Sequence, residues 1–124
     1  MPRDLRRTPL YDRHVVLGAR IVPFAGWEMP VQYEGVIPEH RVVRADAGAF
    51  DVSHMGEVEV EGPRATEFLQ GVLSNDLDRV APGQAQYTLL TDERGGIVDD
   101  LIAYRLDVHR WLLVVNAGNR DADV

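Results

Sequence analysis

Between Gln84 and Asn116 three strand-like runs follow one another with links too short for anything but reversal. The first is Gln84-Ala85-Gln86-Tyr87-Thr88-Leu89-Leu90-Thr91, and the turn-rich link Asp92-Glu93-Arg94-Gly95-Gly96 joins it to the second, residues 97–106. A turn near Asp107 to His109 then leads to Trp111-Leu112-Leu113-Val114-Val115-Asn116, which is apolar enough for a central strand. Parallel neighbours need a crossover of roughly a dozen or more residues, so these runs predict an antiparallel meander. Upstream, Glu57-Val58-Glu59-Val60-Glu61 alternates strictly and adds a fourth, half-exposed strand with its glutamates in water. Gly62-Pro63 opens a helix between them, in which Ala65, Phe68, Leu69, Val72 and Leu73 repeat at helical spacing. The expected fold class is α+β, an antiparallel meander sheet with helices packed on it.

The second strand of the meander carries Asp99 and Asp100 side by side. Aspartate packs poorly on a pleated surface, so two in succession need a turn, a solvated edge or a function. Alternation puts Val98, Asp100, Ile102, Tyr104 and Leu106 on one face, and Ile97, Asp99, Leu101, Ala103 and Arg105 on the other. The first face is apolar but for its carboxylate. Asp100 is therefore expected to point at a buried surface, where an unpaired charge is costly, and Asp99 to be solvated or paired beside Arg105.

The first fifty residues read differently. Thr8-Pro9 predicts a helix start, with Leu10, Tyr11, His14, Val15 and Leu17 along one side as far as Gly18, and His14 as a partly buried packing residue. A short strand from Arg20 then breaks into a Pro- and Gly-punctuated loop, whose Phe24, Trp27 and Tyr33 either lock the connection to the core or wall a pocket for a flat ligand. Pro38 opens a second helix ending near Gly48, with His40 and Arg44 on its surface. Asp51, Ser53 and His54 do not read as a nucleophilic triad, because neighbours on an extended strand point to opposite faces. The expected division is an N-terminal helical segment, 1–50, and the sheet portion, 51–124. Residues 117–124 read as the first turn of a further helix, and the chain as an N-terminal fragment.

Several classes of function are disfavoured. A net charge of −7 without a basic patch argues against a nucleic-acid surface. The sequence has no cysteine, and all 13 basic residues are arginine, so thiol and lysine chemistry have no bearer in it. The four histidines are scattered, giving no metal-ligand spacing. No run of eighteen apolar residues suggests a membrane span, and a cytoplasmic protein is the expectation.

Arg7-Thr8-Pro9-Leu10-Tyr11, Leu17-Gly18-Ala19, Phe24-Ala25-Gly26-Trp27-Glu28-Met29-Pro30, Phe50-Asp51-Val52-Ser53-His54-Met55-Gly56, Gly95-Gly96-Ile97-Val98-Asp99-Asp100 and Val114-Val115-Asn116-Ala117 stand in one order along the chain. In these motifs it resembles the N-terminal part of the glycine cleavage system T-protein family, the aminomethyltransferases. The resemblance implies a tetrahydrofolate-dependent transferase that takes the aminomethyl group from the lipoyl arm of the H-protein, releases ammonia and forms 5,10-methylenetetrahydrofolate. It places the catalytic aspartate at Asp100 and adds Met55, Tyr87, Val114 and Asn116 around the folate. It implies a longer chain, of which this segment alone would be inactive. Folate-dependent demethylases, the folate-binding domains of sarcosine and dimethylglycine dehydrogenases, and a non-enzymatic folate-binding protein supporting iron–sulfur cluster assembly share that fold and stand as alternatives. The Phe24–Pro30 motif favours the T-protein.

Overall fold

The computed structural model describes residues 5–123 and divides into two compact units, Met1–His54 and Met55–Val124. In the first, β1 (Arg6–Arg7) runs parallel to β3 (Trp27–Gln32), and β2 (Arg20–Phe24) pairs antiparallel on the other side of β3. Two short helices, α1 (Tyr11–Val16) and α2 (Val36–Ala45), accompany this sheet.

Two sequence expectations fail here. The stretch read as a strand breaking into a loop is a hairpin, closed by Ala25 at φ 48° and Gly26 at φ 84°. Positive φ at both central residues fits the right-handed strand twist; glycine adopts it freely and alanine does not, so Ala-Gly hides the turn that Asn-Gly would advertise. The first helix begins at Tyr11 rather than at Thr8-Pro9, because the Thr8 hydroxyl donates to Asp51 Oδ2 at 2.7 Å instead of capping a helix.

In the second unit β4 (Gly56–Glu61), β5 (Ala85–Thr91), β6 (Ile97–Asp107) and β7 (Arg110–Val115) form an antiparallel sheet in the order β4-β7-β6-β5, so the meander and its fourth strand are present. The link between β5 and β6 is tied by Asp92, whose Oδ1 accepts from the amides of Arg94 at 2.9 Å and Gly96 at 2.7 Å. A side chain at Gly96 would meet Asp92 Oδ2 at 2.8 Å. Helix α3 (Ala65–Val72) follows β4 and covers one face of the sheet. Ala65, Leu69, Leu73, Leu77 and Val80 pack there against Leu101 and Ala103 of β6 and Trp111, Leu113 and Val115 of β7. The indole of Trp111 is fully buried and donates to Thr66 Oγ1 at 3.0 Å, so the largest core side chain keeps its polar atom paired. Residues 117–122 form successive turns rather than the expected first turn of a helix.

Candidate functional site

The strand that carries both aspartates is central, with β5 on one side and β7 on the other. Its alternation is regular, but the faces are the reverse of the expectation: Asp99, Leu101 and Ala103 are buried on the side of the sheet that α3 covers, while Asp100, Ile102 and Tyr104 lie on the open face. Counted on β6 alone, the Asp100 face is the more apolar. The neighbouring strands decide otherwise, since Trp111, Leu113 and Val115 all point to the Asp99 side and α3 follows them. The buried carboxylate is therefore Asp99, not Asp100.

Asp99 is 4% exposed. Its Oδ2 accepts from the Asn116 amide at 3.1 Å, and its Oδ1 accepts from the side-chain amides of Asn116 at 3.0 Å and Asn119 at 2.8 Å. Burial pushes this carboxyl up, but the donors outweigh it and hold the group below the usual carboxylate range. Asp123 stands against it with neither oxygen receiving a donor. Burial, then the neighbouring Asp99 carboxylate, push the Asp123 carboxyl up to about 6. Two carboxyls side by side oppose each other's ionisation, and Asp123 is the one pushed up.

Asp100 is held from both sides on the open face. The Tyr87 hydroxyl donates to Oδ2 at 2.9 Å, and Asn116 Nδ2 donates to Oδ1 at 3.1 Å and to the Asp100 carbonyl at 2.9 Å. That hydrogen bond to Asp100 pushes the Tyr87 phenol above its ordinary value. Every atom facing Asn116 Nδ2 is an acceptor, which fixes which end of the amide carries the hydrogens. The sheet register extends the arrangement: Tyr87 opposes Ile102, Ile102 opposes Val114, and Val114 opposes Glu57. Gly56, next to Met55 in sequence, opposes Val115. Tyr87, Asp100, Val114 and Asn116 are thus brought to one open face, and partly buried Met55 immediately precedes β4. Such a surface offers an apolar stripe for a flat ring and, at one end, an oriented carboxylate and amide for the polar edge of that ring.

Sequence reasoning missed Asn119 and Asp123. The only signal for the first was its place in Asn116-Ala117-Gly118-Asn119, where the Asn119 amide returns to the Asn116 carbonyl at 3.1 Å. In the first unit it also missed a part-buried chain of polar groups. His14 Nδ1 meets the Tyr33 hydroxyl and Nε2 meets Asp51 Oδ2, both at 2.7 Å, so His14 is a paired group rather than simple packing. Asp51 also accepts from the Ser53 amide at 2.9 Å, while His54 stands edge-on to Phe24.

Residues 10–124 match the GCVT N-terminal domain family. The chain belongs to that family. This GCVT N-terminal domain is 59% identical over 123 residues to a protein of Symbiobacterium thermophilum named Aminomethyltransferase, covering 99% of the chain and 33% of that relative. A Desulforamulus reducens protein of the same name is 54% identical over 121 residues, covering 98% of the chain and 33% of that relative. The crystal structure of glycine cleavage system aminomethyltransferase T from Bartonella henselae superposes with a TM-score of 0.89 at 50% identity, over 96% of this chain and 33% of that one. The domain therefore spans about a third of the length of the curated relatives it matches.

Proposed function

We propose that this domain forms part of an aminomethyltransferase of the glycine cleavage system. In the full-length protein it transfers the aminomethyl group of the lipoyl H-protein to tetrahydrofolate, releasing ammonia and forming 5,10-methylenetetrahydrofolate. The observation that carries this reading is the meeting of Tyr87, Asp100, Val114 and Asn116 on one open sheet face, in a chain whose relatives are named Aminomethyltransferase.

The residues fit a folate. Tyr87, Ile102 and Val114 supply the surface for a pterin ring, and Met55 adds an adaptable apolar contact at its margin. Asn116 has its Nδ2 committed to the two aspartates, which leaves its carbonyl oxygen for a donor on the ring. Tetrahydrofolate, when bound, accepts the one-carbon unit on its nitrogens. Asp100 is the catalytic residue of this reading: a carboxylate has about four acceptor positions, of which Tyr87 and Asn116 take two, so it can accept a proton from the reacting amine without turning. The thiol of the lipoyl arm and ammonia leave as the carbon is transferred. Among the described residues no helix is long and apolar enough to cross a membrane. We assign the protein to the cytoplasm with the H-protein as its partner.

The test is aminomethyl transfer measured with the full-length protein. Asp100→Asn lowers kcat more than about a thousandfold, an effect larger than removing a single hydrogen-bond donor. Asp99→Asn costs less. The opposite ranking would remove Asp100 from its role.

A further inference from the structure

We infer that Asp99 is a positioning residue for the transfer reaction, acting through Asn116 to fix the Asp100 carboxylate; the inference rests on the reading of Asp100 given above. Asp99 occupies the core side of β6, where it touches no ligand-facing surface and is 4% exposed. A carboxylate buried there is costly unless its lone pairs are filled, and an apolar residue would pack that position without the cost. Among the described residues its hydrogen-bond donors come from the segment after β7: the main chain and side chain of Asn116 and the side chain of Asn119. The same Asn116 Nδ2 reaches across to Asp100 Oδ1 and carbonyl. An amide nitrogen has two hydrogens, here shared among three acceptors, so the orientation that serves Asp100 is held by the bonds to Asp99. Asn119 anchors Asp99 from the other side. The order of control runs from Asn119 to Asp99, from Asp99 to Asn116, and from Asn116 to Asp100.

The isosteric change Asp99→Asn exposes this chain of contacts. One oxygen still accepts from the Asn116 amide. The other becomes an NH2 group facing the donors of Asn116 and Asn119, and Asn116 must rotate away. Misplacement of a reacting group by about 1 Å costs on the order of a hundredfold, so kcat falls about 10–100-fold, and it does so in a form that keeps its thermal midpoint within a few degrees.

The deciding measurement is a double-variant cycle in the full-length protein, read as kcat for tetrahydrofolate-dependent ammonia release. In an Asn116→Ala background, where the intermediary is gone, Asp99→Asn costs less than about twofold more. Full, additive losses from the two changes, or an unaltered kcat in Asp99→Asn alone, would overturn the inference. Should Asp99→Asn not fold, Asn119→Ala decides: it removes one anchor from an exposed position, and it lowers kcat several-fold if Asp99 must be held and leaves kcat unchanged if not. Asp100→Asn in the same assay separates the two levels. Full activity there would defeat the functional reading, whereas a dead Asp100→Asn beside additive Asp99 and Asn116 losses would defeat only the positioning role.

Discussion

Replacing His14 by leucine isolates what the polar chain in the first unit contributes. The imidazole is nearly buried, with side-chain exposures of 8% for His14 and 2% for its partner Asp51. Leucine keeps most of the bulk and removes both contacts, so Asp51 is left with the Thr8 hydroxyl and the Ser53 amide. Stripping the partner from a buried charge costs roughly 3–5 kcal/mol when nothing else satisfies it. Two remaining donors to a charged acceptor offset part of that, which brings the expected loss to about 2–3 kcal/mol. Neutralising the acceptor as well, with Asp51→Asn, leaves no stranded charge; the double variant is then less damaged than the sum of the singles by about 1–2 kcal/mol. Hydrogen exchange of the β2 and β3 amides in the full-length protein reads the local opening energy directly. A change below about 1 kcal/mol in His14→Leu, or strict additivity with Asp51→Asn, would refute the reasoning. The pH dependence has a definite sign. Burial pushes the Asp51 carboxyl up, but hydrogen bonds from Ser53, His14 and Thr8 more than reverse it and leave the group well below the usual carboxylate range. The unfolded chain then binds the proton first on acidification. The stabilisation is whole above the ordinary carboxylate value and is lost as pH falls below it toward the depressed folded value. Protection of β2 and β3 therefore weakens as pH falls below about 4 in the native sequence, and less so in Asp51→Asn.

Two further outcomes follow from local geometry. Asp123 shows the opposite linkage: its folded carboxyl, pushed up to about 6, holds a proton that the unfolded chain releases near 3.8, so stability declines as pH rises through that interval and stays lower above it. Asp123→Asn, which carries no titrating carboxyl beside Asp99, raises the thermal midpoint more at pH 7.5 than at pH 4, by an amount equivalent to about 1–3 kcal/mol; an equal gain at both values would contradict the raised Asp123 carboxyl. At the hairpin turn, Ala25→Asn supplies a residue that tolerates the φ of 48° and stabilises by up to about 1 kcal/mol, whereas Gly26→Ala destabilises by about 1–2 kcal/mol, both readable by thermal denaturation.

The meander was legible because links of five and two residues leave strands no alternative to reversal, and because the glutamates of β4 announce its wet face. The first hairpin was hidden by a backbone device, alanine in a left-handed conformation, that composition does not signal. The polar chain of Thr8, His14, Tyr33 and Asp51 was hidden for another reason: its members are separated by up to 43 positions, and only the fold joins them.

The exchange of roles between Asp99 and Asp100 is the more instructive failure. Reading Val98, Ile102, Tyr104 and Leu106 as core assumed that an apolar strand face is a covered one. Here that face is open, with Ile102 37% and Tyr104 38% exposed, while the shorter apolar set of Leu101 and Ala103 is sealed by α3. A sheet that is apolar on both faces has a second surface to cover, by a ligand, by further chain or by both, and a carboxylate on that surface is exposed until the cover arrives. Asp100 thus stays the residue proposed to act, though for a reason opposite to burial. Asp99, which the burial argument had set aside, meets the cost of its own burial with donors from Asn116 and Asn119. Those donors are what tie the inner face of β6 to the outer one. Adjacent aspartates on a strand then form one device rather than a working residue with a solvated neighbour, since the buried member orients the amide that holds the exposed one.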